Sequence, residues 1–366
     1  MTGDTTTTIN RPAWLLPTPA RRDESQQSSN LRTLLLRLMR GENLERLEAG
    51  ELLGALLDGA ATDAQIAAAL VALAVKGETT EELAGMALAM RERATRIVSR
   101  HKIFVDTAGT GSSSVKTFNL STAAAFVIAG AGLPVAKHGS RAATSRSGSA
   151  DVLAMLGVKV DAPPNISAAC LDEIGICFMF APLYHGATAR VAGVRRELGV
   201  HTTFNLLGPL TNPAGAPRQL IGVWHRALIE PLARTLAALG TEHAWVVHGS
   251  DGLDEITLHG KTLVAETLRG KVRSFEITPE QFGLQTATLE KVRDNDAAKS
   301  AGIINSILSG ERRDEARDLV VINSAAALLL GGAVQDFAAA RQLAEESIDS
   351  GAAQSKLHQL IKATNK

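Results

Sequence analysis

The chain has 366 residues, of which 45% are hydrophobic and 21% charged, with Lys plus Arg and Asp plus Glu balanced at 38 each. This length suffices for two or three domains around a large core. Because the charges balance, no net electrostatic field attracts nucleic acid or a membrane, so any anion site has to be local. The 4% aromatic content also argues against a surface that stacks on single-stranded nucleic acid.

The N-terminus and the cysteines indicate the compartment. Residues 1–28 are polar and rich in Thr, Ser and Gln, which predicts a flexible tail. The start lacks the basic-then-apolar order of a secretory signal, and no uninterrupted apolar run reaches the roughly 18 residues of a membrane-spanning helix. Cys170 and Cys177 are the only cysteines, too few for a disulfide framework, and we expect both in the core. These features predict a cytoplasmic protein.

Residues 29–98 have helical patterns. Apolar residues from Leu31 to Met39 recur at the three- and four-residue spacing of one helix face. Two capping boxes predict further helix starts, namely Thr62 with Gln65 and Thr79 with Glu82. We therefore expect a small helical domain over this range.

From residue 99 to residue 366, short apolar strands alternate with helices. IFVDTAG, LPVAKHG, GICFMF, QLIGVW and HAWVVHG predict strands, whereas FNLSTAAAFVIAGAG and SGSADVLAMLG predict helices. ITLHGKTLVAE predicts a β-hairpin that turns at His259 and Gly260, and the last third returns to helices. This alternation indicates an α/β domain whose sheet is covered on both faces.

A glycine-rich loop follows the first predicted strand. Residues 106–114 read DTAGTGSSS, and TFNLST at 117–122 then opens a helix. Glycine lets backbone N–H groups approach an anion, and a helix N-terminus adds positive potential, so this segment is a candidate phosphate cradle. A tight turn with a capping hydroxyl fits the same residues, and neither the P-loop nor the dinucleotide fingerprint is present.

Three further segments carry charge. KHGSR at 137–141 and TSRSGSAD at 144–151 concentrate cations and hydroxyls after a strand, which suits a polyanion. Asp254 and Glu255 follow a strand and a glycine turn and could share Mg²⁺, which takes oxygen ligands. One of three arginines could hold a carboxylate through paired hydrogen bonds: Arg190, Arg195 and Arg196. Solvated loops and surface arginines are the alternatives, but together the segments suit a magnesium pyrophosphate donor and an acidic acceptor.

In order and spacing, these segments resemble the anthranilate phosphoribosyltransferase family over roughly residues 30–350. The most specific stretches are KHGSRAATSRSGSADVLAMLG, VRRELGVHTTFNLLGPLTNPAG and VVHGSDGLDEIT. The resemblance implies a nucleoside phosphorylase-like fold: a small N-terminal helical domain plus a larger α/β domain with a central mixed sheet flanked by helices. It also implies a homodimer formed through the helical domain, which helices from about residues 186–199 would join.

The resemblance further implies transfer of a phosphoribosyl group from 5-phosphoribosyl 1-pyrophosphate to anthranilate in tryptophan biosynthesis. Catalytic roles are implied for Lys137, His138 and Arg195, with Arg195 facing the anthranilate carboxylate. Binding of the Mg²⁺ cofactor is implied for Ser121, Asp254 and Glu255. Substrate contacts are implied for Gly109, Thr110, Gly111, Ser112, Thr117, Asn119, Ser121, Thr122, Lys137, His138, Gly139, Ser140, Ser149, Ala181, Pro182 and Arg195.

Three positions depart from the family motifs. Ser113 stands where the family has an acid, Ser140 where it has Asn, and Thr188 where Met is common. All three lie at the substrate end, so an alternative interpretation is a paralogue with the same donor but a different aromatic or amine acceptor. A nucleoside phosphorylase on the same fold is a further alternative. A non-catalytic nucleic-acid-binding relative is another, which the balanced charge disfavours.

Overall fold

The computed structural model describes residues 26–111, 113, 115, 117–142, 147–288 and 296–366, so most of the predicted tail lies outside the described residues. The α-helices within these ranges are α1 (Gln26–Met39), α2 (Arg46–Leu57), α3 (Asp63–Lys76), α4 (Thr80–Glu92), α5 (Leu120–Gly130), α6 (Ser149–Met155), α7 (Pro164–Ile174), α8 (Ala181–Tyr184), α9 (Ala189–Leu198), α10 (Thr203–Leu210), α11 (Ile229–Ala238), α12 (Ala297–Leu308), α13 (Glu315–Leu330), α14 (Phe337–Asp349) and α15 (Ala352–Thr364). The strands are β1 (Val105–Gly109), β2 (Val135–Gly139), β3 (Ile176–Phe180), β4 (Arg218–Gly222), β5 (His243–Gly249), β6 (Thr262–Leu268) and β7 (Lys271–Ile277).

The first four helices pack together, and both predicted capping boxes are confirmed. Gln65 N donates to Thr62 Oγ1 at 3.3 Å and Thr62 N donates to Gln65 Oε1 at 2.9 Å. Thr79 and Glu82 repeat this arrangement at the start of α4. Glu82 is fully buried, and its carboxylate also pairs with Lys76 at 2.8 Å. A buried carboxylate with several donors fixes the turn between α3 and α4.

The larger domain contains a sheet whose strand order, over the described ranges, is β3-β2-β1-β4-β5-β6-β7. Neighbours from β3 to β5 are parallel, whereas β6 and β7 are antiparallel. The predicted α/β fold with a central mixed sheet is therefore confirmed. The strand order reverses between β1 and β4, and ligands of such sheets bind beyond the carboxyl ends of strands at that point.

Alternating side chains of the strands contribute to two cores on opposite faces of the sheet. Leu220 and Val247 face one core, which contains α5 and α13. Ile221 and Val246 face the other, which contains α11 and the N-terminal helices. The first four helices thus share a core with one face of the sheet, and α9 and α10 also pack on this group.

Composition led to expectations about the cysteines and about membrane-spanning helices. Cys170 and Cys177 are both buried free thiols, as predicted. Over the described ranges, no helix is long and apolar enough to cross a bilayer.

The predicted hairpin at His259 and Gly260 is wrong. Residues 256–258 are buried but form no strand, and Asn323 of α13 takes up both backbone hydrogen bonds of Ile256. Its Oδ1 accepts from Ile256 N at 3.0 Å, and its Nδ2 donates to Ile256 O at 2.8 Å. Strand β6 pairs instead with β5 and with β7, a strand that the sequence patterns did not predict.

Candidate active site

The glycine-rich loop and the acidic loop meet where β1 and β4 end. Gly222 closes β4, and a Cβ atom there would collide with the Asp254 carbonyl oxygen. At the end of β1, a Cβ on Gly109 would lie 3.6 Å from Asp254 Oδ2. Thr110 N donates to Gly222 O at 2.9 Å. Glycine at 222 therefore lets the predicted phosphate loop and the predicted metal loop share one edge of the sheet.

Ser113 connects the same two loops. Its buried Oγ lies 2.8 Å from Gly252 O and 2.9 Å from Val115 O, and accepts from Val115 N at 3.1 Å. A carboxylate in this position would face two carbonyl oxygens, so a neutral hydroxyl suits the observed packing. Gly111 takes a left-handed backbone with φ of 69°, which favours glycine. Ser112, a predicted donor contact, lies outside the described residues.

Lys137 lies on β2 at the centre of the predicted donor site. Its Nζ donates to Thr107 O at 2.7 Å and to Ser121 Oγ at 3.2 Å. Burial lowers the pKa of Lys137, while the carboxylates of Asp106 and Glu255 act in the opposite direction. The structure thus brings Lys137 together with the hydroxyl and one carboxylate of the predicted metal set.

Asp106 is absent from the predicted site residues, yet it organises this region. The fully buried carboxylate accepts from Asn212 Nδ2 at 2.7 Å and from His138 N at 3.2 Å. Burial raises its pKa to about 6, although Lys137 and the two hydrogen bonds oppose the rise. Asp106 therefore fixes the part of β2 that carries Lys137 and His138. Its partner Asn212 lies far away in sequence, so no local pattern pairs them.

The predicted metal ligands lie together. Burial and the neighbouring Asp254 raise the pKa of Glu255 to about 8, although Lys137 and the Ser121 backbone N–H oppose the rise. Two adjacent half-buried carboxylates repel each other, and a divalent cation relieves that repulsion. Their oxygens and the Ser121 hydroxyl are ligands that Mg²⁺ prefers. The residues present therefore fit the ion.

A pair of buried histidines lies beside this centre. The rings of His138 and His185 have centroids 5.1 Å apart. Burial lowers the pKa of His138 to about 3 and that of His185 to about 4. Within the described residues, His138 Nε2 and both ring nitrogens of His185 have no hydrogen-bond partner. Buried polar atoms of this kind need water or a ligand to satisfy them. The predicted set omits His185, although it includes Ala181 and Pro182 a few residues before it.

Replacing His185 with Gln should flatten the acid dependence of stability. The folded ring has a pKa of about 4, against about 6.5 when unfolded. Its stabilising contribution is therefore complete above the unfolded pKa and is lost as pH falls toward the folded pKa. Between about pH 7.5 and 5.5 this group lowers the free energy of unfolding by about 1.4 kcal/mol. We therefore expect the free energy of unfolding, measured with urea, to fall by that much less in His185→Gln than in the unmodified protein over this pH range.

The exposed His259 provides the control for this prediction. His259→Gln makes the same chemical change at an exposed position and is measured in parallel over the same pH values. If the unfolding free energy of His185→Gln changes with pH as much as that of the unmodified protein, the His185 ring is not held neutral in the fold.

Arg195 lies in the last turn of α9 and faces the first turn of α10. Its Nε donates to Thr202 Oγ1 at 3.2 Å and its Nη2 donates to Asn205 Oδ1 at 3.4 Å. The Cζ atom lies 5.2 Å from the centroid of the Phe204 ring. Burial lowers the pKa of Arg195. Within the described residues no carboxylate pairs with this guanidinium, so a half-buried cation is available to an anionic ligand.

Helix α10 connects Arg195 to the histidine pair. Four residues at three-residue spacing run along it: Thr202, Asn205, Gly208 and Thr211. The first two contact Arg195. The backbone of Gly208 lies near the His138 ring and that of Thr211 near the His185 ring, and each partly opposes the lowered pKa. Helix α10 and the residues that flank it therefore contact Arg195 at one end and the histidine pair further along.

The polybasic loop closes back on itself and on the donor loop. Gly139 lies so close to Ser149 that a Cβ at 139 would collide with Ser149 Oγ. Ser149 Oγ donates to Ser140 O at 3.5 Å, and Ser147 Oγ donates to Asn119 Oδ1 at 2.7 Å. These contacts bring together predicted substrate residues from the two loops. Residues 143–146 of the loop lie outside the described residues.

The remaining predicted residues are less central. Thr122 is fully buried in α5 and lines a cavity of about 10 Å³ behind Lys137, so its side chain does not face the open site. Thr117 Oγ1 donates to Phe118 O at 3.1 Å, and Ala181 and Pro182 open α8 at the end of β3. Arg190 donates to Ala61 O at 3.0 Å and thus faces the N-terminal helices.

Family models match nearly all of the folded chain. A model described as the a/b domain of a glycosyl transferase family matches residues 101–354. A second model, described as the helical bundle domain of a glycosyl transferase family, matches residues 32–94. The chain is 50% identical over 331 residues to a protein from Moorella thermoacetica named anthranilate phosphoribosyltransferase. That match covers 90% of this chain and 97% of the relative.

Solved structures agree with this likeness. An anthranilate phosphoribosyltransferase from Thermus thermophilus superposes with a TM-score of 0.85 at 39% identity, covering 91% of this chain and 99% of the other. The enzyme of the same name from Saccharomyces cerevisiae, in complex with PRPP and Mg, gives a TM-score of 0.83 at 28% identity. It covers 92% of this chain and 98% of the yeast chain.

Proposed function

The chain belongs to the anthranilate phosphoribosyltransferase family, and from this membership we infer that it transfers the phosphoribosyl group of 5-phosphoribosyl 1-pyrophosphate to the amine of anthranilate. The reaction releases pyrophosphate, requires Mg²⁺ and is a step of tryptophan biosynthesis. The roles of individual residues given below are our proposals.

The donor is proposed to occupy the edge where β1, β2 and β4 end. The loop from Gly109 to Gly111 would lie against the phosphates, and Lys137 would supply a buried positive charge next to them. Asp254, Glu255 and Ser121 would hold Mg²⁺, which, when bound, neutralises the charge of the leaving pyrophosphate. The proximity of these groups supports this placement.

The single observation that carries the acceptor assignment is the half-buried Arg195 guanidinium, which has no carboxylate partner among the described residues. Anthranilate offers a carboxylate that an arginine fork binds through two parallel hydrogen bonds. Once anchored there, its amine would approach the anomeric carbon while pyrophosphate leaves from the other side.

The chemistry we propose depends on position and charge rather than on a strong base. An aryl amine attacks without prior deprotonation, so a base is not needed before the bond forms. His138 and His185, whose pKa values are about 3 and 4, stay neutral near pH 7 and are weak bases. We propose that they line the acceptor site and orient the amine, while loops around the site exclude water.

Acceptor identity is tested by turnover with a fixed donor and a panel of amines. We expect anthranilate to be used much better than aniline, which lacks the carboxylate, and than 4-aminobenzoate, which carries it elsewhere on the ring. Equal use of all three would contradict the Arg195 anchor. The same panel addresses Ser140 and Thr188, since a paralogue specialised for another amine would favour a different member. Phosphorolysis of uridine, if found, would instead support a nucleoside phosphorylase.

We further propose a homodimer formed through the helical domain, residues 29–98, with the α/β domain over residues 99–366. Exposed apolar side chains support a protein interface there, since Leu47 is 75% and Val75 83% exposed. A groove of about 700 Å³ between α1, α2 and α4 adds further uncovered surface. We also propose a cytoplasmic location, which suits the two free buried thiols.

A further inference from the structure

We propose that Thr202 and Asn205 are positioning residues that hold the Arg195 guanidinium in the orientation that receives the acceptor carboxylate. This inference rests on the proposed function, because it requires that Arg195 contacts the carboxylate. Neither residue belongs to the set predicted from the sequence.

The geometry leaves the binding end of Arg195 open. Thr202 engages the N–H of Nε, and Asn205 engages one N–H of Nη2. A guanidinium has five N–H donors, so three remain, all of them on the two terminal nitrogens. Those two nitrogens form the fork that binds a carboxylate through parallel hydrogen bonds. The Phe204 ring, 5.2 Å from Cζ, restricts the guanidinium plane as well.

The two holding residues are themselves fixed. Asn205 Oδ1 also accepts from Thr202 N at 3.0 Å, so one oxygen caps α10 and holds the arginine. Thr202 is only 4% exposed. The next residue, Thr203, donates from Oγ1 to Glu78 Oε1 at 2.5 Å, which attaches the start of α10 to the turn between α3 and α4. An anchor fixed before the ligand arrives loses less side-chain entropy on binding.

Thr202 offers a matched pair of substitutions. Thr202→Val keeps the shape of the side chain but removes the hydroxyl, whereas Thr202→Ser keeps the hydroxyl. We expect Thr202→Val to raise the anthranilate KM by about 10-fold, with a donor KM and kcat close to those of the unmodified enzyme. Thr202→Ser should restore most of the lost affinity.

A double-mutant cycle separates positioning from a general structural role. If Thr202 acts through Arg195, then Thr202→Val should have almost no further effect on anthranilate KM in an Arg195→Ala background. An equal, additive effect in both backgrounds would overturn the proposal. Asn205→Ala, measured in the same two backgrounds, provides the second test if Thr202→Val fails to fold.

Failure of this inference is distinguishable from failure of the proposed function. If unmodified enzyme turns over anthranilate and Arg195→Ala raises its KM, an unchanged KM in both Thr202→Val and Asn205→Ala overturns only the positioning role. If unmodified enzyme shows no anthranilate-dependent release of pyrophosphate, the proposed function itself is wrong, and the positioning role is wrong with it.

Discussion

Substituting Asp254 by Asn together with Glu255 by Gln should lower magnesium-dependent turnover by at least about 1,000-fold. Both side chains keep their size and lose their charge, so the fold has little reason to change. The structure places both carboxylates in one loop, beside Gly109, Lys137 and the Ser121 backbone. With them neutral, the two carboxylates that lie beside Lys137 and Ser121 would no longer hold a divalent cation against the pyrophosphate. The measurement is the rate of pyrophosphate release over a magnesium titration.

The matched control replaces two exposed acids, Asp161 by Asn and Glu311 by Gln. This control has the same change in net charge and should keep the unmodified rate. Near-normal turnover of the Asp254 and Glu255 variant at saturating donor would place the metal elsewhere in the molecule.

Arg195→Ala should raise the anthranilate KM by about 30- to 5,000-fold, which corresponds to the roughly 2–5 kcal/mol lost when one member of a buried charge pair is removed. The carboxylate would then enter a partly buried site without its cation. The donor KM should change much less, because the donor loop contacts β1, β2 and β4 rather than α9. Steady-state kinetics with each substrate varied in turn measure both constants.

Arg196 is the control for this variant, since it is the next residue on α9 and is exposed. Arg196→Ala should leave the anthranilate KM unchanged. Were Arg195→Ala to leave it unchanged too, the acceptor carboxylate would have to bind another group.

The sequence patterns predicted the regular parts of the fold well. Both capping boxes are formed as expected, because the Thr and its Gln or Glu partner lie three residues apart and interact locally. The hairpin at His259 failed for the opposite reason. Its alternating residues satisfy strand propensity, but Asn323, from a helix far along the chain, takes the backbone bonds of Ile256. Such competition between distant groups leaves no local signal.

The site residues also differ in whether a local pattern or a distant contact reveals their role. Lys137 lies near the end of β2, Ser121 in the first turn of α5, and Asp254 and Glu255 in the loop after β5. Each belongs to a short segment whose residue types already indicated phosphate or metal chemistry. Asp106 and Asn212 come together only after β1 and β2 pair and the chain returns beyond α10. The role of α10 was equally hidden. In the sequence, Asn205 and Gly208 resemble ordinary helix residues. Their contacts with Arg195 and His138 form only when α9 and β2 pack beside α10.

One measurement tests the central claim most directly: purified protein is mixed with 5-phosphoribosyl 1-pyrophosphate, anthranilate and Mg²⁺, and both products are quantified. A single site that holds donor and acceptor side by side predicts one pyrophosphate per N-(5-phosphoribosyl)anthranilate, with neither formed when anthranilate or Mg²⁺ is omitted. Pyrophosphate release that proceeds equally well without anthranilate, or no release at all, would contradict the account.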